Sequence, residues 1–287
     1  MHIVLGATGH IGSALAQLLL DRKEPVTLVL HSSDKAWEWQ QRGARTEVAD
    51  VHDTEALHAV FRQGQRLFLL NPPAAPATDT AREERKSVAS ILAALNGSGL
   101  RKIVAESTYG AQPGGSVGDL GVLYELEQGL AAQPIPASLI RAAYYFSNWD
   151  TALASARKDG QVMSLFPADF ALPMVAPRDI AQLAARLLTE PLGHTGLHYI
   201  EGPARYSAAD VAAAFAAALH RPVAVDAVAR PQWADTLLQL GFSPAAADSL
   251  AAMTGVTLDE RYAQPQNPVR GTTTLTQYIK DLVKATP

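Results

Sequence analysis

The stretch HIVLGATGHIGSALAQLL, at the N-terminus, limits the fold more than any other part of the chain. Residues 2–5 are apolar and β-branched at the centre, which reads as a buried strand. After Gly9, the residues Ile11, Ala14, Leu15, Leu18 and Leu19 recur at helical spacing. Three glycines, Gly6, Gly9 and Gly12, join the two patterns. A strand that passes into a helix over so few residues must turn sharply, and glycine does this without steric cost. In such a turn the first glycine permits the bend. The second leaves the backbone open to close approach, and the third lets the helix pack on the sheet. The N–H groups at the helix start then make a site suited to a pyrophosphate. The spacing is GxxGxxG rather than GxGxxG, and its position after a first strand gives it weight. The alternative is a tight turn with no ligand.

Strand and helix alternate onward. Residues 25–31, 44–50, 66–70, 100–108 and 135–141 read as strands, the last closing the series. Helical patterns fall at 34–42, 55–61, in the stretch ending near 96, and at 119–131. Most of the strands are continuous apolar runs, as in a parallel sheet covered on both faces. With right-handed crossovers the fold class is α/β, a Rossmann-type doubly wound parallel sheet. Residues 1–145 are expected to form that domain. Residues 146–287 are expected to form a smaller, mostly helical lobe interleaved with the sheet ends. Helices are expected there at 178–188 and 207–219, at 232–253, and in TTLTQYIKDLV. Short strands are expected at LHYIEG and PVAVDAV. Trp37 and Trp39 sit in a polar helix and are expected to pack over the sheet edge.

The absence of cysteine excludes disulfides, Cys-ligated metals and thiol catalysis. A net charge of -4 with no basic block argues against nucleic acid as a partner. No apolar run approaches the ~20 residues a membrane span needs, and the N-terminus is unlike a leader. A soluble cytoplasmic protein is the expectation. His194 and His198 are four apart, but Gly193 and Gly196 speak against a helical metal pair, so no metal site is expected. Glu125 and Glu127 are two apart on one helix and are expected to be solvated.

Four stretches carry a family resemblance: GATGHIG, ADVHD after the third strand, LFLLNPP at the fourth strand end, and VAPRDIAQLAARLL. On them the chain resembles the NmrA-like group of atypical short-chain dehydrogenases/reductases over nearly its whole length. The resemblance implies a nicotinamide dinucleotide. It also implies either a quinone- or azo-type reductase or a redox sensor without turnover. Gly6, Thr8, Gly9, His10, Ile11 and Gly12 are then the candidate cofactor loop. An NAD site usually carries Asp or Glu at the second strand end, about 20 residues past the glycines. Here that strand ends LVLHSSDK. His31 stands where the resemblance would put an arginine, followed by Ser32, Ser33 and Lys35. Hydroxyls with a cation suit a 2′-phosphate, so NADP(H) is favoured over NAD(H). An ordinary polar loop is the alternative, with Asp34 starting the next helix. Asp50 and Val51 match the family's adenine-contacting pair, though Asp50 also suits a turn. Asn71 and Pro72 end the fourth strand, and ligands of open α/β sheets lie outside such ends.

Most short-chain dehydrogenases use Tyr-x-x-x-Lys, in which the lysine lowers the phenol's pKa from ~10. In DLGVLYELEQGL one register sets Asp119 and Leu123 at those positions, the other Tyr124 and Gln128. Neither supplies a lysine. That weighs against an alcohol dehydrogenase or epimerase, both of which lean on the pair. Ser107, Thr108, Tyr124 and Tyr144 are the candidate catalytic residues, with Ser107 also beside the cofactor. Tyr109, Tyr144, Tyr145, Asn148 and Trp149 are candidates to hold a planar small-molecule acceptor. Packing of the two lobes is the plain alternative for that cluster. The leading reading is an NADP(H)-dependent reductase of quinone-like or other conjugated acceptors by direct hydride transfer. A non-catalytic NADP(H) sensor is second and an isomerase or epimerase third. A homodimer stays open.

Overall fold

A computed structural model describes residues 1–286. The first half runs β1 (His2–Val4), α1 (His10–Asp21), β2 (Val26–Leu30), α2 (Ala36–Gln41), β3 (Arg45–Val48), α3 (Thr54–Phe61), β4 (Arg66–Leu69), α4 (Thr80–Leu95), β5 (Lys102–Thr108), α5 (Leu120–Ala131) and β6 (Ala137–Ala142). The second half runs β7 (Tyr144–Tyr145), α6 (Ala152–Lys158), β8 (Gln161–Ser164), β9 (Leu172–Val175), α7 (Pro177–Thr189), β10 (Gly196–Glu201), β11 (Arg205–Tyr206) and α8 (Ala208–Leu219). It ends with β12 (Ala224–Ala227), α9 (Trp233–Gln239), α10 (Pro244–Leu258), β13 (Val269–Arg270) and α11 (Leu275–Ala285).

Eight strands form one parallel sheet in the order β13-β10-β6-β5-β4-β1-β2-β3. The chain leaves β1 for β2 on one side and returns to β4 on the other. The switch point, where ligands of such sheets lie, is therefore at the carboxyl ends of β1 and β4. Alternate strand residues feed two cores. Ile3, Leu5, Leu67, Leu69, Ile103 and Ala105 pack with α3, α4 and α5. Val4, Phe68, Val104 and Ile140 pack with α1 and α7. A third core, containing Phe146, Trp149, Phe215 and Ile279, lies in the second half.

Sequence turn chemistry sets the helix starts. Asp53 and Asp79 accept the Ala56 and Arg82 amides to cap α3 and α4. Ser207 and Asp210 form a capping box on α8. Asp34 does not start α2; it is the middle residue of a short helical turn over Ser33–Lys35 that precedes it.

Two expectations need correction. β6 does not close the series, because β10 pairs with it in parallel, Tyr199 opposite Arg141, and β13 follows. α7 is the crossover helix that makes this pairing possible, and its packing on α1 comes from the apolar stripe Ile180, Leu183, Ala184 and Leu187. Of the two tryptophans, Trp39 is buried beneath the Arg42 guanidinium, but Trp37 is 68% exposed. Two residues apart on a helix, they cannot share a face.

Candidate active site

Gly6 has φ +79°, and its carbonyl accepts the Gly9 N–H at 3.2 Å. A Cβ on Gly12 would lie 2.1 Å from the Gly6 carbonyl oxygen, so no side chain fits there. The third glycine thus serves the fit of helix to turn, rather than the expected fit of helix to sheet. A Cβ on Gly9 would meet only that same oxygen, at 3.6 Å, so the turn is open above it. Gly9 is also the N-cap of α1 and brings no side chain to the free amides, and no acid stands in the first turn. Those amides are left for an anion. Thr8 and His10 are exposed beside them. Ile11 is buried in the core and offers the site its backbone alone.

His10 Nε2 lies 3.3 Å from Asp150 Oδ2, and Asp150 Oδ1 accepts the Tyr278 hydroxyl at 2.8 Å. Burial pushes the Asp150 carboxyl upward, against the pull of Tyr278 and His10. This chain of contacts ties the start of α1 to the segment after β7 and to α11.

At the end of β2, His31, Ser32, Ser33 and Lys35 are all exposed on one loop. The Ser32 hydroxyl donates to Asp34 at 2.9 Å. Asp50 is exposed, and its Oδ1 accepts the His52 amide at 2.9 Å, forming a turn ahead of α3. Val51 beside it is half-buried. Asn71 follows β4 and is 8% exposed, yet neither its amide nitrogen nor its oxygen has a partner. Buried amides left without hydrogen bonds are costly and uncommon. Leu70, the preceding residue, is the side chain nearest Gly6, so the orphaned amide adjoins the glycine turn. Open amides, a glycine cradle and an unmet polar side chain at one switch point fit a dinucleotide. Pro72, half-buried, carries the chain away.

Across the crevice the expected chemical residues separate. Ser107 is 1% exposed, and its hydroxyl donates to Glu127 Oε1 at 2.5 Å, so it is held inside the sheet–α5 interface. Glu127, expected in solvent, is buried there and takes both Nε and Nη2 of Arg141, at 2.8 and 2.6 Å. Arg141 also donates to the Tyr199 hydroxyl at 3.0 Å. Tyr109 is a core residue rather than a pocket residue. Its hydroxyl donates to Glu201 at 3.0 Å, and its ring meets Tyr199 edge-on. Trp149 is likewise buried in the third core, where its size serves packing. Thr108 and Tyr124 are half-buried near the ends of β5 and the start of α5. Tyr144 packs edge-on against Phe166, and burial pushes its phenol up to about 12 despite Asn148. Asn148 is exposed.

Two acidic groups, Glu84 and Glu106, escaped the sequence reading, and a third, Asp119, entered it only as a place in a helix register. Asp119, in the register of the missing tyrosine, accepts the Thr80 hydroxyl at 2.8 Å, and its other oxygen is buried without a partner. Glu84 on α4 accepts the Ala74 amide, and burial raises its carboxyl to about 7, with Asp119 adding to the rise. Glu106 is 4% exposed in the middle of an apolar strand and accepts the Tyr145 hydroxyl at 2.9 Å. The charged residue inside IVAEST was the available signal, since Glu is almost never buried unless paired. Among the described residues, no three His, Cys, Asp or Glu side chains are grouped to hold a metal. No helix there is long and apolar enough to cross a membrane.

Comparison with known proteins agrees with this architecture. The NAD(P)H azoreductase of Xenophilus azovorans is 26% identical over 251 residues, spanning 87% of this chain and 85% of that protein. The NADPH-dependent quinone oxidoreductase of Escherichia coli, solved with NADPH, superposes with a TM-score of 0.77 at 22% identity, covering 98% of this chain and 99% of the other. The triphenylmethane reductase of Citrobacter sp. superposes with a TM-score of 0.80 at 19% identity, covering 99% of each chain. The model of the NmrA-like family matches residues 2–276. With its sheet order, its glycine turn and this match along almost all of its length, the chain belongs to the NmrA-like family.

Proposed function

We propose that this protein is an NADP(H)-dependent reductase of planar, conjugated acceptors such as quinones and azo compounds. The observation that carries the reading is the open helix start at Gly9, joined at the same switch point by the unpartnered amide of Asn71. When bound there, the nicotinamide supplies a hydride. The α1 amides would hold the dinucleotide's pyrophosphate, and the Asn71 side chain would offer it hydrogen bonds. His31, Ser33 and Lys35 form no side-chain hydrogen bond among the described residues, which leaves the loop after β2 open to a 2′-phosphate. The similar azoreductase and the NADPH-bound quinone oxidoreductase support both the cofactor class and the acceptor class.

The acceptor class also follows from what the site does not offer. No lysine stands by Tyr124 or Asp119 to tune an acid for a simple ketone. A quinone or azo group spreads the arriving electron pair over a conjugated system and asks less of a proton donor. Tyr144 and Tyr145, half-buried just beyond β6, would offer aromatic faces to a planar acceptor.

Calorimetric titration with NADPH and NADH tests the cofactor half of the reading. NADPH is expected to bind at least ~10-fold more tightly, a difference of about 1.4 kcal/mol. Equal affinities would contradict the assignment of the loop at His31–Lys35. Tight binding with no turnover on any acceptor would move the reading to a redox sensor.

A further inference from the structure

The sheet separates two buried glutamates. Glu127 faces Arg141 and is fully paired on the α5 side. Glu106 lies on the opposite face of β5, in the layer of Val104, where no cation reaches it. One of its oxygens accepts the Tyr145 hydroxyl, and the other is buried with no partner at all. Other charged groups on the surrounding elements are already committed. Asp179 of α7 accepts from Thr273, and Glu201 of β10 accepts from Tyr109 and Arg270. Burying an ionised carboxylate without a cation is prohibitive, so such a group keeps its proton. Burial accordingly holds the Glu106 carboxyl up at about 8 and pushes the Tyr145 phenol well above its ordinary range. Burial without a cation thus favours the neutral acid at Glu106, two residues from the carboxyl end of β5. Tyr145, its partner, is half-buried in β7, the short strand just beyond β6.

We propose that Tyr145 is the proton donor to the reduced acceptor and that Glu106, acting through it, is the proton store that replaces the absent Tyr–Lys pair. The inference rests on the reductase reading. The acceptor gains two electrons with the hydride, and the displaced electron pair rests on its oxygen or nitrogen. The Tyr145 O–H bond breaks as a new O–H or N–H bond forms on that atom. The Glu106 O–H bond breaks to restore the tyrosine hydroxyl, which then donates to the new carboxylate. When the product leaves, water returns a proton to Glu106 by way of the Tyr145 hydroxyl, the one polar group among the described residues that touches the carboxyl.

The test is the pH profile of kcat for NADPH oxidation by 1,4-naphthoquinone and by methyl red, with wild type, Glu106→Gln and Tyr145→Phe. Wild-type kcat should fall as pH rises through about 8, where the store empties. Glu106→Gln should lower kcat at pH 7 by ~10²-fold, within the range of general-acid effects, and lose that fall. Its KM for NADPH should not change. Tyr145→Phe should lose the fall as well. A fall retained in Glu106→Gln, or a flat wild-type profile, would overturn the proposal. Infrared spectra of the protein alone give a readout that needs no turnover. A carboxylic-acid carbonyl band should be present at pH 7, vanish by pH 10, and be missing in Glu106→Gln. An ionised Glu106 at pH 7 would overturn the proton store even where the enzyme turns over. A wild type that reduces neither acceptor, or any other, would overturn the reductase reading and this inference with it.

Discussion

Glu127 and Arg141 show how little a residue's sequence neighbours say about its surroundings. In DLGVLYELEQGL, Glu127 reads as a surface charge on a mixed helix. In the fold it is 5% exposed by side chain and clamps a guanidinium from the adjacent strand with two hydrogen bonds. Its partner is fourteen residues away, a separation that only the α5–β6 pairing converts into contact. Removing one member of a buried ion pair strands the other, at a cost of about 3–5 kcal/mol. Glu127→Ala should therefore lower unfolding free energy by roughly that amount in urea titrations, and loss of less than ~1 kcal/mol would place the pair among weak surface bridges. The same limit explains Ser107 and Tyr109. Their positions at the β5 end were legible, but the acidic partners that hold their hydroxyls lie on α5 and β10. Glu106 was more accessible to reasoning, because an acid inside an apolar strand is unusual by itself.

At the scale of elements, the strand–glycine turn–helix unit was readable because its demands are local. Gly6 takes a positive φ, and Gly9 leaves the helix start bare. What Gly12 meets was less readable, since the contact is with the carbonyl of Gly6. That oxygen belongs to backbone and cannot step aside, so Gly12→Ala must shift the turn or the helix. Thermal unfolding and NADPH titration should show a destabilised protein that has lost at least ~10-fold in affinity, about 1.4 kcal/mol. A variant that binds NADPH as wild type does would contradict the role given to the turn. The later strands were harder. LHYIEG reads as a strand from sequence, but nothing in it says that it lies beside β6 in the main sheet. That placement comes from α7, whose apolar stripe packs on α1 and returns the chain to the sheet.

Over the whole molecule, the parallel sheet and its order follow from alternating elements and the handedness of crossovers. The third core does not, because it is assembled from Phe146, Trp149, Phe215 and Ile279, which are far apart in sequence. The link His10–Asp150–Tyr278 joins that core to the start of α1, directly after the glycine turn. The open start of α1 and the unpartnered Asn71 amide, at one switch point of the sheet, are the basis for reading the chain as a reductase. The most direct test is anaerobic mixing of NADPH and protein with a quinone, an azo dye and a simple aliphatic ketone, followed by NADPH absorbance and product analysis. The account predicts one NADPH consumed per quinone reduced, turnover of the azo dye, and no turnover of the ketone. Reduction of the ketone at a comparable rate, or no NADPH consumption with any conjugated acceptor, would contradict it.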